Sequence, residues 1–253
     1  MPCSTSISRP AAWRSPPVPS RSPCRGSPVS SGWPSEAAAV FAKDWRAERR
    51  ARHAVATLVL FAVTTLVIAS LALGPIGAAP GERTEVASAL LWILLLFAAA
   101  AGLPRAFVHE EESHTAVVLR LAARPSAVFA GKLLWVASLL ALLEAIATPL
   151  ALALFDLPVA SPGRLLAALS AGGLGLAAAT TLLAAIVAQG RGATTLFAAL
   201  AFPLLVPLAV LAVAATRAAL AGAPDGGELG QLILYDSTIV VAGFLLFPVI
   251  WAP

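Results

Sequence analysis

Charge is what this chain has least of. Asp, Glu, Lys and Arg make up 12% of its 253 residues, roughly half the share of an average soluble domain. That shortage excludes an ordinary water-soluble globule. Cysteine is nearly absent as well, with only Cys3 and Cys24 and no Cys-x-x-Cys. A Cys-based zinc site or haem-attachment motif is therefore excluded. The phosphate-binding pattern Gly-x-x-x-x-Gly-Lys-Ser/Thr is missing too. Gly131-Lys132 comes near it, but Ser126 stands at the first glycine position and Leu133 follows the lysine. The chain thus has no phosphate cradle of its own. His-Glu-x-x-His and Gly-x-Ser-x-Gly are also absent. No catalytic residue and no metal ligand is assigned.

What is present is apolar. Hydrophobic residues are 59% of the chain and the mean hydropathy is +0.87. Six long apolar runs stand out: Ala54–Leu73, Val86–Leu103, Leu133–Phe155, Leu165–Ala188, Ala193–Ala215 and Leu229–Trp251. Each is near the roughly 20 residues that cross a hydrocarbon core of about 30 Å. A helix satisfies its own backbone in lipid, so the expected fold is an all-α membrane protein of six transmembrane helices. Basic residues set the orientation. Lys43, Arg46, Arg49, Arg50 and Arg52 precede the first run, Arg105, Arg120, Arg124 and Lys132 separate the second from the third, and Arg191 separates the fourth from the fifth. The opposite side has only Arg83, Arg164 and Arg217. Both termini are expected in the cytoplasm. The net charge of +4 reads as a topology signal, and nucleic acid is not an expected partner.

Residues 1–39 are read as a disordered extension and residues 40–253 as the transmembrane domain. The first 35 residues are rich in Pro, Ser and Arg and contain no acid. Such composition lacks the apolar period a folded element needs. It suits either a transit peptide, although no amphipathic helix is evident, or an extension without function. Ala42–His53 reads as an amphipathic helix leading into the first span, with Phe41 and Trp45 four apart on one side and Glu48 four before Arg52. A helix of that kind lies in the membrane interface; the same residues also serve simply as a basic anchor.

Two places concentrate polar residues. The first is the connection Phe107–Lys132, which holds Glu110, Glu111 and Glu112 and two of the three histidines, His109 and His114. The second is a pair of acids inside the spans. Glu144 lies mid-way along the third run, five residues before Pro149, and Asp236 lies beside Tyr235, Ser237 and Thr238 in the sixth. A buried acid costs about 2.5–3.5 kcal/mol on insertion scales. Glu144 is read either as a substrate or proton contact or as a hydrogen bond between helices. Asp236 is either solvated or part of an outward vestibule. In the fourth run, Ala168 and Gly172, and Ala171, Gly175 and Ala179, recur every four residues, which allows close helix approach. Pro203, Pro207 and Pro248 are expected to kink their helices.

The acidic connection resembles that of ABC-2 type exporter permeases. The resemblance rests on Glu110, Glu112, Thr115, Val117–Leu121, Pro125 and Gly131-Lys132. A closer resemblance, over about residues 40–251, is to the haem exporter protein B (CcmB) family, the permease of the cytochrome c maturation system. It is carried by Lys43-Asp44-Trp45-Arg46-Ala47-Glu48, the acidic connection, Phe202-Pro203-Leu204-Leu205-Val206-Pro207-Leu208, and Tyr235-Asp236 followed by Phe247-Pro248. This family has Gly before the Thr and Leu-Glu after it, where the chain has His114 and Ala116-Val117.

The resemblance implies a permease in the bacterial inner membrane, without enzyme activity of its own, that works in haem export and cytochrome c biogenesis. It implies a coupling helix at about Thr115–Ala123 that docks on a separate ABC ATPase. The docking residues it implies are Glu110, Glu112, Thr115, Val117, Val118, Arg120, Leu121 and Arg124. The apolar spacing of Val117, Val118 and Leu121 fits a helix independently. Further implied partners are a tryptophan-rich haem-handling membrane subunit, a second copy of the permease and membrane lipid. ATP acts through the partner, and haem enters as a transported or handled ligand rather than as a cofactor bound by this chain. Met1 is the only methionine and the histidines lie on the cytoplasmic side, so no outward axial ligand pair for haem iron is evident. Two other functions fit the residues: an ABC-2 permease for another exported substrate, and an intramembrane enzyme using Glu144 and Asp236.

Overall fold

The computed structural model describes residues 32–50, 53–73, 80–102, 124–188, 193–224 and 226–251. The helices there are α1 Trp33–Arg50, α2 His53–Leu73, α3 Pro80–Gly102, α4 Pro125–Leu154, α5 Pro162–Ala188, α6 Ala193–Ala221 and α7 Glu228–Trp251. Helices α2 to α7 are each long and apolar enough to cross a membrane. Among the described residues the chain adopts the expected all-α architecture with six spans.

The helices outrun the apolar runs that signal them. α3 starts at Pro80 and α4 at Pro125, while α6 continues through Thr216 and Arg217 to Ala221. Hydropathy marks the part of a helix that lies in hydrocarbon, whereas capping decides where the helix ends. Proline opens α3, α4 and α5, the position where its missing N–H costs nothing. Before Pro125, Arg124 is extended at φ −68 and ψ 140, as a residue preceding proline must be. Gly222, at φ +69, follows the last residue of α6. Only glycine takes that left-handed conformation without a Cβ clash.

Contacts fix the up-and-down order. Ser70 of α2 donates to the carbonyl of Leu154 at the end of α4. Arg217 of α6 pairs with Glu85 of α3 at 2.8 Å. The N–H groups of Ala160 and Ser161, between α4 and α5, bond the carbonyls of Leu220 and Ala219. Those carbonyls have no partner within their own helix, so the connection satisfies the end of α6. These contacts define one end of the bundle. At the other end α1 packs against α4.

α5 is the central helix. It packs against α4, α6, α7 and α3, and 72% of its span is buried, against 11% for α2. Small residues make this possible: Ala168, Gly172, Gly175, Ala177, Ala178 and Ala179 are all buried. Large apolar side chains such as Leu60, Ile68, Phe202, Leu234 and Val249 point outward, as they do where lipid replaces water.

One expectation needs correction. The leading helix begins at Trp33, so Trp33–Ala39 belong to α1 and not to a disordered extension. Pro34 suits a first helical turn, and Ala37, Ala38 and Ala39 have high helix propensity. Ser35 fixes the start, its hydroxyl donating to the Gly32 carbonyl at 2.8 Å. The helix also does more than rest in the interface, since Ala37 and Val40 are buried. Both meet Gly131 of α4 so closely that a Cβ there would overlap them. Phe41 and Trp45 do share a face, stacked at 6.0 Å between centroids.

Candidate functional site

Three side chains from three helices press on one glycine-rich stretch of α5. The Trp92 ring of α3 occupies the place a Cβ on Gly172 would need. The Glu144 carboxyl of α4 does the same at Gly173, and the Asp236 carboxyl of α7 does so at Gly175. Glu144 is 8% exposed and Asp236 5% exposed, so both carboxyls are buried within the bundle. Gly173 and Gly175 are two residues apart, about 200° around a helix. The two acids therefore approach α5 from nearly opposite sides. One Glu144 oxygen, Oε1, and both Asp236 oxygens lack a hydrogen-bond partner among the described residues. Buried groups in that condition call for a ligand, an ion, water or a partner.

Polar bonds hold the surroundings of this stretch. The Trp92 indole N–H donates to Thr216 Oγ1 of α6 at 2.9 Å, which fixes the ring lying over Gly172. The Tyr235 hydroxyl donates to the Leu204 carbonyl at 3.0 Å. That carbonyl belongs to α6, in the turn between Pro203 and Pro207. Thr180 and Thr181 turn their hydroxyls back to carbonyls of their own helix, so they add no polarity to the neighbouring faces.

A second polar cluster joins α1 to the start of α4. The Glu36 carboxylate accepts from the backbone N–H of Arg124 at 3.2 Å. Asp44 faces Lys132 at 3.6 Å and Lys43 at 3.5 Å. Lys132 is 1% exposed, so this ion pair lies inside the α1–α4 contact.

Of the expected docking residues, Arg124 is placed at the start of α4, exposed. Glu110, Glu112, Thr115, Val117, Val118, Arg120 and Leu121, with the coupling helix they define, lie outside the described residues. Sequence reasoning found Glu144, Asp236 and the small-residue face of α5. It missed Gly173, the Trp92–Thr216 bond, and Glu36 and Asp44 as partners of α4. Gly-Gly at 172–173 was the available signal for Gly173. The others join residues far apart in the chain and leave no local pattern.

The fold and these intramembrane contacts define a multi-pass, six-span membrane protein built on a glycine-lined central helix. The match to a known family is more specific: residues 35–250 fit the CcmB protein family. The chain belongs to that family, the permeases of haem-exporting ABC transporters in cytochrome c biogenesis. Among curated proteins, none matches it.

Proposed function

We propose that this chain is the permease subunit through which a separate ABC ATPase drives haem delivery to a chaperone outside the inner membrane. The observation that carries the reading is family membership over residues 35–250, on a chain with six spans and no phosphate-binding motif of its own. ATP is hydrolysed by the partner. The connection holding Glu110, Glu112, Thr115, Val117, Val118, Arg120, Leu121 and Arg124 docks on it, with Val117, Val118 and Leu121 as the apolar contact. Two permease copies and a tryptophan-rich haem-handling subunit complete the complex, and both termini face the cytoplasm. Haem is handled by the complex and is not held by this chain as a cofactor.

The α1–α4 cluster supports the mechanical side of this reading. Arg124 directly follows the proposed coupling helix, and Glu36 ties its backbone to α1. A push on the connection would reach α4 and α1 together, and through Glu144 it would reach α5.

The test is association and phenotype together. Deleting the gene is expected to abolish mature c-type cytochromes while other haem proteins survive. Replacing Val118 and Leu121 together by Asp is expected to abolish copurification of the ATPase without preventing membrane insertion. Each new acid would be an unpaired charge in an apolar contact, at a cost of several kcal/mol. Unchanged ATPase affinity in the double variant would refute the docking assignment. Survival of c-type cytochromes would refute the haem role.

A further inference from the structure

Helices α2, α3 and α4 line a small, partly open crevice whose own space is about 30 Å³. Its walls are apolar and include Val55 and Val59 of α2, Ala98 of α3, and Leu139 and Leu143 of α4. Trp135 of α4 also lines it. This side chain is 6% exposed, yet its indole Nε1 has no hydrogen-bond partner among the described residues. A buried N–H without an acceptor is costly and signals an occupant that supplies one.

The position of the crevice narrows the choice of occupant. α2 is the least buried span, so the crevice opens where lipid is the solvent. Val55 is two residues after the start of α2, and Ala98 is four before the end of α3. The crevice is therefore about one to two turns deep at the end of the bundle that holds α1. That is the depth of acyl-ester groups, just below the lipid headgroups. At the same end α1 exposes Arg46, a cation suited to an anionic headgroup.

We propose that this crevice is a binding site for one anionic phospholipid. One stretch of an acyl chain seats in the crevice between α2 and α4, and the rest of the chain lies in the surrounding lipid. Its ester carbonyl accepts from the Trp135 indole, and its phosphate lies toward Arg46 of α1. Walls of Val, Leu and Ala suit a flexible chain, and a single polar group at the right depth fixes its register.

The site is tested by native mass spectrometry of the full chain in mild detergent, with phosphatidylglycerol and phosphatidylethanolamine offered in equal amounts. One retained phosphatidylglycerol per chain is expected, preferred several-fold. Trp135→Phe, which keeps the ring, should lower retention about five-fold through loss of one hydrogen bond. Arg46→Gln should reduce the preference for phosphatidylglycerol while leaving phosphatidylethanolamine retention unchanged. Ala98→Phe should fill the crevice and displace the lipid. Trp135→Phe and Arg46→Gln leave the apolar walls intact, so they test the site even where Ala98→Phe does not fold. No retained lipid in the wild type, or equal retention of both lipids in every variant, overturns the proposal. Loss of a second permease copy or another membrane subunit in Ala98→Phe, with lipid retained, would show that a protein helix occupies the crevice instead.

Discussion

At Gly172, Gly173 and Gly175 the absence of one carbon atom decides how four helices meet. Alanine at any of them would overlap a side chain from a neighbouring helix, but the three obstacles differ. Glu144 and Asp236 end in carboxyls on rotatable stems. Trp92 is a rigid ring fixed by its bond to Thr216. Overpacking costs about 1–3 kcal/mol, more where the neighbour cannot move. Gly172→Ala is therefore expected to lower the thermal midpoint in detergent more than Gly173→Ala does. Combining Gly172→Ala with Trp92→Leu should recover part of the loss, because the two residues are in contact and their effects do not add. Equal losses for the two alanine variants would show that the ring is not held.

The same residues show how far the sequence could be read. Glu144 and Asp236 were visible because an acid in an apolar run is rare. Their facing glycines were not, because such a pairing is made by packing between distant segments. Gly175 stood out through its four-residue spacing, whereas Gly173 lies outside that spacing and on the other side of the helix. Asp236 looked close to the end of its run. In the fold it lies eight residues beyond the start of α7 at Glu228, about 12 Å along the axis.

Among the elements, α1 differs most from a reading by composition. Its basic residues suggest a helix held by headgroups, but its packing on α4 depends on Ala37, Val40 and Gly131. Asp44 and Lys132 add an ion pair inside that contact. Removing one partner of a buried pair costs about 3 kcal/mol or more, while replacing both by apolar residues is often neutral. Asp44→Ala is expected near the lower end of that range, since Asp44 keeps 12% exposure. Asp44→Leu with Lys132→Met should restore most of the stability, as judged by the detergent melting midpoint. The spans themselves were legible because about 20 apolar residues have few alternatives to a membrane helix. Their ends were not, since Thr84, Glu85 and Arg217 sit in helices that continue beyond the hydrocarbon.

For the whole molecule, orientation is the property on which the function depends. Lys43, Arg46, Arg124 and Lys132 lie at the end of the bundle where α1 packs on α4, and on the positive-inside rule we propose that this end faces the cytoplasm. Cysteines placed at Ala79 and Ala223 are expected to react with an impermeant thiol reagent added outside intact cells, and one at Ser113 is expected not to react. Labelling at Ser113 from outside would invert the topology and put the docking connection on the wrong side for an ATPase. A haem spectrum gives an independent check. Replacing His53, His109 and His114 by Ala is expected to leave the spectrum of the purified subunit unchanged, and loss of a stoichiometric haem signal in that variant would make the chain a haem carrier itself.

The seat of Asp236 against Gly175 also bears on how the protein is made. α7 leaves the ribosome after α5, and it carries an acid that an isolated helix would place in lipid at a cost of about 2.5–3.5 kcal/mol. α5 is synthesised earlier and already offers a glycine face for that carboxyl. α5 thus acts as a template for the insertion of α7. A bulky residue at Gly175 should therefore appear first as a biogenesis defect, with α7 failing to enter the membrane and the chain being degraded soon after synthesis.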